Sequence, residues 1–261
     1  MDLRDLTDAV LLQRQERMND AGPSLRGIGT ARFQLSGSVL TVSMAQIRPN
    51  KAEELVARVM RFARERWLAV TWLYYSNYDD PALGSTLVNN GFRRRETLRL
   101  MGRIGQLVTQ HQPEPGVTVA PIMTIEEMQT YERISSWGFN NQPAPSQDHI
   151  VMRGRERWDE QQAQWYQYYL GRSNGEPAGG AYVSLWERVP TIYGVVTAPP
   201  LRGRGVAAHV MTRLVRDTLA RGFPWTCLYV ALDNPAERLY TSLGFTFLLE
   251  QTTLQWGEPR W

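Results

Sequence analysis

Arg202-Gly203-Arg204-Gly205-Val206-Ala207 is the stretch of this sequence that does most to decide its fold. It follows a strand-like run at 191–197 and opens a helix-like run from 206 to about 219. In a glycine-containing turn between a strand and a helix, the backbone can approach an anion closely, and the N–H groups of the helix N-terminus point towards it. The two arginines could also pair with phosphate oxygens. The turn therefore predicts a site for a phosphorylated cofactor.

Two better-known phosphate motifs do not describe this turn. The G-x-x-x-x-G-K-[ST] spacing is missing, and a G-x-G-x-x-G fingerprint would need a glycine where His209 stands. An ordinary glycine-rich connection with solvated arginines therefore remains open if the turn is considered alone.

A second signature lies downstream, after the strand-like run 227–231. Its residues are Asn234, Ala236, Tyr240, Gly244 and Phe245. Together with Arg202, Gly205 and Ala207, this order resembles the GNAT superfamily of acyl-coenzyme A-dependent N-acetyltransferases. That family shows R/Q-x-x-G-x-G/A and then, one helix and one strand later, N-x-x-A-x-x-x-Y-x-x-x-G-F with small variations in spacing. The two signatures together are far more specific than either one.

The resemblance implies an α/β fold, a mixed and mostly antiparallel sheet with helices on both faces. It also implies direct transfer of an acetyl group from acetyl-CoA to an amine. The strand edge near residue 196 would hold the pantetheine arm and polarise the thioester carbonyl, and the turn would hold the pyrophosphate. The implied cofactor-binding residues are Val195, Val196, Thr197, Arg202, Gly203, Arg204, Gly205, Val206, Ala207, Asn234 and Tyr240.

Acetyl transfer also needs an acid for the leaving thiolate and a way to deprotonate the amine. By resemblance Tyr240 is the acid, although a core tyrosine on an amphipathic helix is the alternative. Glu187 is the nearest candidate for the base, but a glutamate that is only an exposed charge in a turn would give the same sequence pattern. Asp148 and His149 are weaker candidates, and a water chain would need no dedicated base.

The acceptor site is expected between the sheet and a loop from Trp137 to Ser146. An aromatic, amide-bearing loop suits a small polar or aromatic amine, and a packed loop is the alternative. The residues concerned are Trp137, Phe139, Asn140 and Asn141. Two other functions stay open at this point: a catalytically inactive acyl-CoA-binding module, and a structural α/β interaction protein.

The chain divides into two related halves. We predict a degenerate GNAT-like domain at 1–109, a Pro- and Gly-containing linker at 110–116, and the acetyltransferase domain at 117–261. Gly91-Phe92 stands in the same local context as Gly244-Phe245. An unrelated N-terminal α/β domain is the alternative.

The N-terminal half departs from the family pattern where a cofactor would bind. Pro49 removes a backbone donor from the segment that corresponds to the phosphate turn. Leu87 stands where the C-terminal half has Tyr240. We therefore expect this half to bind no cofactor and to have a structural role or to shape the acceptor site.

Secondary structure follows from hydrophobic periodicity and from turn and capping residues. Thr124 with Glu127 forms a capping box at the start of a helix that runs to about Ser136. The other predicted helices are 52–67, 83–90, 150–161 and 206–219. The predicted strands are 38–44, 69–76, 95–104, 117–122, 165–172, 179–187, 191–197 and 227–231.

Composition narrows the possible cellular location, cofactors and partners of the protein. Cys227 is the only cysteine, so no intramolecular disulfide can form, and a cytoplasmic location is the default. The three histidines show no metal-ligand spacing, and no apolar run or leader predicts a membrane segment. Acidic residues offset most of the arginines, leaving a net charge of +3, which does not favour nucleic acid. The expected partner is a small-molecule amine, with homodimerisation left open.

Overall fold

The computed structural model describes residues 2–16, 22–105, 115–141, 146–185 and 188–258. Its helices are α1 (Leu3–Glu16), α2 (Ala52–Glu65), α3 (Pro81–Asn89), α4 (Ile125–Asn140), α5 (Gln147–Gln162), α6 (Val206–Ala220) and α7 (Ala236–Ser242). Its strands are β1 (Gly29–Ser36), β2 (Val39–Ile47), β3 (Ala69–Tyr75), β4 (Arg93–Ile104), β5 (Val117–Pro121), β6 (Tyr166–Ser173), β7 (Glu176–Ser184), β8 (Thr191–Thr197), β9 (Trp225–Ala231) and β10 (Thr246–Trp256).

The chain forms two compact units. Unit 1 comprises Met1–Leu6, Met101–Tyr229 and Pro235–Thr246. Unit 2 comprises Thr7–Leu100, Val230–Asn234 and Phe247–Trp261.

Unit 1 is built on strands in the order β9-β8-β7-β6-β5. β8 and β9 are parallel and joined by α6, whereas β5 to β8 pair antiparallel in sequence order. Helix α4 begins as predicted, because the Thr124 side chain accepts a hydrogen bond from the Glu127 N–H and the Glu127 carboxylate accepts one from the Met123 N–H. A buried cluster that includes Met128 and Tyr131 of α4 packs this helix on the sheet.

Unit 2 has its strands in the order β1-β2-β3-β10-β4. β2 and β3 are parallel and joined by α2, and the predicted apolar face of α2 is buried in the core. β10 pairs antiparallel with β3, from Gln251 opposite Tyr75 to Trp256 opposite Val70. Both units therefore have the predicted fold class, a mixed sheet flanked by helices.

The two compact units do not coincide with the predicted consecutive domains 1–109 and 117–261. The reason is the last strand of the chain: its residues from Phe247 onwards group with the N-terminal elements because β10 pairs with β3. Residues 106–114 lie outside the described residues, and they include most of the predicted linker 110–116. Helix α1 and strands β1 and β10 were not predicted, and a helix at α7 was considered only as an alternative for Tyr240.

The units share a detail that a duplication would produce. In unit 1 an extra residue bulges β8, since Val196 lies opposite Gly180 but Tyr193 lies opposite Tyr182, and Gly194 has a φ of 61°. In unit 2 the same irregularity occurs in β2, where Met44 has a φ of 53°. Each bulged strand is followed by a turn, a helix and a parallel strand, so the predicted duplication gains support.

Candidate active site

The parallel strands β8 and β9 separate soon after they begin to pair. Thr191 lies opposite Cys227 and Ile192 opposite Leu228, and among the described residues of these strands the pairing goes no further. The bulge at Gly194 follows immediately and turns β8 away from a regular ladder. Within the described residues, the edge of β8 from Gly194 to Thr197 therefore has no strand on its β9 side.

The turn after β8 presents a row of backbone donors. Gly203 and Gly205 have φ angles of 76° and 70°, in the left-handed region that glycine adopts at little cost. Gly205 is the N-cap of α6 and supplies no side-chain cap. Within the part of the chain that the structure describes, the N–H groups of residues 203–208 have no hydrogen-bond acceptor. Uncapped N–H groups with the positive end of a helix dipole form an anion-binding site.

The two arginines of the turn have different roles. The Arg202 guanidinium donates to the carbonyl oxygens of Gly138 and Thr197, at 2.7 and 3.4 Å. It thereby ties the end of α4 to the end of β8, and its expected pairing with phosphate stays a prediction. Arg204 is exposed and has no ion pair within the described residues, so its charge remains available to an anion.

Tyr240 lies on α7 with only 7% of its side chain exposed. Its hydroxyl forms no hydrogen bond within the described residues, and its ring packs edge-on against Phe245 at 6.3 Å between centroids. Burial raises the pKa of the Tyr240 hydroxyl to about 12. The group therefore stays protonated near neutral pH and has a proton to donate.

The other predicted site residues are found in the following places or are not described. Glu187 lies outside the described residues. Asn234 falls between β9 and α7, in unit 2, where its N–H donates to the Ala231 carbonyl at 3.1 Å. Asp148 and His149 lie in the first turn of α5, which Ser146 caps.

The predicted acceptor loop is shorter than expected. Trp137, Phe139 and Asn140 belong to the last turn of α4, and Asn141 ends the helix with a φ of 51°. Near this end of the helix Gly138 packs directly on β8, since a Cβ there would lie 2.2 Å from Cγ2 of Val196. Residues 142–145, the rest of the loop, lie outside the described residues.

A tyrosine cluster beside the bulge was not predicted. Tyr182 stacks between Tyr168 and Tyr193, with ring centroids 4.6 and 5.5 Å apart. The Arg157 guanidinium lies over the rings of Tyr131, Tyr168 and Tyr182 at 5.6–5.8 Å. The alternation of Tyr166 and Tyr168 on one strand hinted at a shared face, but nothing local linked them to Arg157.

A coenzyme carrying a pyrophosphate and an extended arm fits this geometry. The donors of residues 203–208 would hold the phosphates, and the space beside Gly203 is open, since a Cβ there would meet nothing within 4 Å. The edge of β8 from Gly194 to Thr197, which no described strand covers on the β9 side, could bind the extended arm as an added strand would. Among the described residues no group of His, Cys, Asp or Glu is placed to hold a metal ion, and no helix is long and apolar enough to cross a membrane.

Comparison with known proteins finds a family model that covers β8, the turn and α7. Residues 129–245 match the family model described as the Acetyltransferase (GNAT) family. A segment of 60 residues is 42% identical to the mycothiol acetyltransferase of Brachybacterium faecium and covers 23% of this chain and 18% of that protein. The match therefore spans less than a fifth of the relative's length.

Solved structures share the fold over nearly the whole chain. A GCN5-related N-acetyltransferase from Kribbella flavida is 20% identical, with a TM-score of 0.62 over 96% of this chain and 94% of that one. One from Sphaerobacter thermophilus is 17% identical, with a TM-score of 0.65 over 95% and 84%. A tandem GNAT protein from the clavulanic acid biosynthesis pathway is 13% identical, with a TM-score of 0.61 over 89% and 80%.

Proposed function

We propose that this chain, which belongs to the GNAT family of acetyltransferases, transfers the acetyl group of acetyl-CoA directly to a primary amine of a small-molecule acceptor. The observation that carries the proposal is the row of free N–H groups at residues 203–208, next to the unpaired edge of β8. Such a row at an uncapped helix suits a pyrophosphate. The match to the family model covers both features.

The coenzyme would supply the acetyl group as an activated thioester. The backbone of Val195 and Thr197 would hold its arm, and the N–H groups of the turn, with Arg204, would hold its phosphates. A backbone N–H near Val196 would polarise the carbonyl, where negative charge develops during transfer. Orientation of two substrates in one site can contribute about 7–11 kcal/mol to such a reaction.

Tyr240 would protonate the leaving sulfur. Its side chain is buried, its hydroxyl is unpartnered within the described residues, and its pKa is raised to about 12 by burial. A positioned acid of this kind typically contributes about 10²–10⁴ in rate. For the amine proton we keep Glu187 as the nearest candidate base, with a water chain as the alternative.

For the acceptor we propose a chemical class and no individual compound. The name of the matched relative concerns mycothiol, but the match covers 18% of that protein, so we propose only a small primary amine. The N-terminal copy is proposed to bind no cofactor, and the protein to act in the cytoplasm without a nucleic-acid or membrane partner. No observation favours the alternative of a catalytically inactive acyl-CoA-binding module.

Calorimetric titration with acetyl-CoA tests the proposal. We expect about one equivalent per chain, and a screen of amines with the same protein should then show consumption of acetyl-CoA. Two equivalents would mean that the N-terminal copy also binds the coenzyme. Absence of binding would show that residues 202–207 form only a turn and would overturn the proposal.

A further inference from the structure

Tyr131 connects helix α4 to the bulge of β8 by a single hydrogen bond. Its hydroxyl donates to the carbonyl oxygen of Gly194 at 3.1 Å. Gly194 and Val195 have no partner residue on β7, and pairing with β9 ends at Ile192. The tyrosine thus supplies the hydrogen bond that the interrupted ladder does not.

Two glycines make room for this contact. A Cβ at Gly194 would lie 2.5 Å from the Tyr131 hydroxyl oxygen, and a Cβ at Gly180 would lie 2.7 Å from the Tyr131 ring. Both distances are too short for any other residue, so glycine at these positions lets Tyr131 lie directly on the sheet. Tyr131 is fully buried, and burial raises its pKa, which keeps the hydroxyl protonated as a donor.

The ion pair between Arg157 and Glu132 lies next to Tyr131 and is largely buried. Arg157 on α5 donates to Glu132, the neighbour of Tyr131, at 2.6 Å, and their side chains are 16% and 6% exposed. Arg157 also donates to the Tyr168 hydroxyl at 3.3 Å, and that hydroxyl donates to Glu160 at 3.0 Å. These charge-assisted hydrogen bonds hold the Arg157 guanidinium, which lies over the Tyr131 ring at 5.7 Å and so limits the movement of that ring.

The hydrogen bond from Tyr131 to Gly194 also sets the direction of the next N–H group along the chain, that of Val195. The Gly194–Val195 peptide bond is trans, so the Val195 N–H points opposite to the Gly194 carbonyl. Because Tyr131 holds that carbonyl towards α4, the Val195 N–H is directed away from α4. The orientation of one peptide plane thus depends on one tyrosine hydroxyl.

We propose that Tyr131, held by the Arg157–Glu132 pair, is a positioning residue that orients the Val195 N–H to polarise the thioester carbonyl. This inference rests on the proposed function and names the donor that the sequence placed only near Val196. Tyr131 itself does not touch the reacting atoms. It acts through the backbone of the bulge.

The test compares Tyr131→Phe with the wild-type protein and with Tyr166→Phe. Tyr131→Phe keeps the ring and removes only the hydroxyl that reaches Gly194. Tyr166→Phe removes a hydroxyl from the same cluster, where the Tyr166 ring packs against Tyr168 and Tyr182. Thermal unfolding checks that all three proteins are folded.

Two readouts separate positioning from a structural role. Hydrogen exchange in the unliganded protein should be faster over residues 193–197 in Tyr131→Phe and unchanged in Tyr166→Phe. Infrared spectroscopy of bound acetyl-CoA should show a thioester carbonyl stretch shifted to lower frequency in the wild type, with this shift reduced or lost only in Tyr131→Phe. The dissociation constant of acetyl-CoA should change less than about threefold, since this donor contributes mainly in the transition state.

If the wild-type protein does not bind acetyl-CoA, the proposed function fails, while the exchange measurement still decides whether Tyr131 fixes the bulge. If the coenzyme binds and the carbonyl shift is equal in wild type and Tyr131→Phe, the inference is overturned and the proposed function stands. Glu132→Gln supplies a second variant, because it weakens the hold on Arg157 without touching Tyr131. It should reduce the carbonyl shift by less than Tyr131→Phe does, and an unchanged shift would exclude the ion pair from the positioning role.

Discussion

The buried carboxylate of Asp79 accepts a 2.8 Å hydrogen bond from the backbone N–H of Tyr75, at the end of β3 in unit 2. The N–H of Ala45, next to Met44 in the bulge of β2, also interacts with this carboxylate. By the shared bulge, Ala45 corresponds to Val195 of unit 1. In unit 2 the Asp79 carboxylate thus faces the Ala45 N–H. In unit 1 the corresponding group is the Val195 N–H, which we propose faces the thioester carbonyl. This arrangement supports a copy that binds no cofactor.

The burial of Asp79 leads to a pH dependence of folding. The pKa of its carboxyl is raised to about 7 because burial removes it from water, while the Tyr75 and Ala45 N–H groups lower it. In the unfolded chain the value is near 3.8. The folded protein therefore holds this proton more tightly, so the free energy of unfolding decreases as pH rises from about 4 to about 7. The loss is at most about 4 kcal/mol.

Asp79→Asn should remove this part of the pH dependence. The amide cannot ionise, and any hydrogen bond that it loses costs the same at every pH. Urea unfolding at several pH values measures the unfolding free energy of both proteins. As pH rises, the Asp79→Asn variant should become more stable relative to the wild type. Parallel pH profiles would contradict the assignment of this titration to Asp79.

A negative charge at the start of α6 should have opposite effects on helix stability and on coenzyme binding. Ala207 is half-buried in the first turn, where a carboxylate favours the helix by about 0.3–1 kcal/mol. The same carboxylate would repel a pyrophosphate, and at about 4 Å near a protein surface such a repulsion reaches about 4 kcal/mol.

We therefore expect Ala207→Glu to keep or raise the melting temperature and to weaken acetyl-CoA binding about tenfold or more. Ala207→Gln is the control, since it has a similar size and no charge. Calorimetry and thermal unfolding measure the two effects. Equal coenzyme affinity in the Glu and Gln variants would argue against an anion at this turn.

The sequence predicted local features well and long-range ones poorly. The capping of α4 by Thr124 and the strand, turn and helix around residues 202–207 depend on neighbouring residues, so the pattern carried enough information. The pairing of β10 with β3 depends on which sheet edge is free after the rest of the chain has folded, and no local pattern encodes that. For the same reason the contact of Arg157 with Tyr131 was invisible, because α4 and α5 meet only through tertiary packing.

Tyr240→Phe tests the acid directly. The variant removes a hydroxyl that has no partner within the described residues, so the melting temperature should hardly change. Acetyl-CoA should bind about as well as to the wild type, while the rate of transfer to an accepted amine falls by about 10²–10⁴. A single-turnover assay with bound acetyl-CoA measures this rate. A variant as fast as the wild type would remove Tyr240 from the mechanism.

The pH profile gives an independent check on the same residue. An acid works while it is protonated, and the pKa of Tyr240 is raised to about 12 by burial. The contribution of Tyr240 is therefore present across the neutral range and is lost only as pH rises towards 12. The ratio of the wild-type rate to the Tyr240→Phe rate should stay constant from neutral pH to about pH 10. A ratio that decreases near pH 7 would assign the acid role to another group.

Gly194→Ala tests the close approach of α4 to the bulge, and Gly175→Ala is the matched control. Both glycines have positive φ angles, 61° and 84°, so alanine costs each site about 1–2 kcal/mol of backbone strain. At Gly175 a Cβ would meet nothing within 4 Å, whereas at Gly194 it would lie 2.5 Å from the Tyr131 hydroxyl and 2.7 Å from the Tyr182 ring. Overpacking of this kind adds about 1–3 kcal/mol, so urea unfolding should find Gly194→Ala more destabilised by about that amount. Equal losses would mean that Tyr131 and Tyr182 both move aside freely, and the bulge would then not be held by Tyr131.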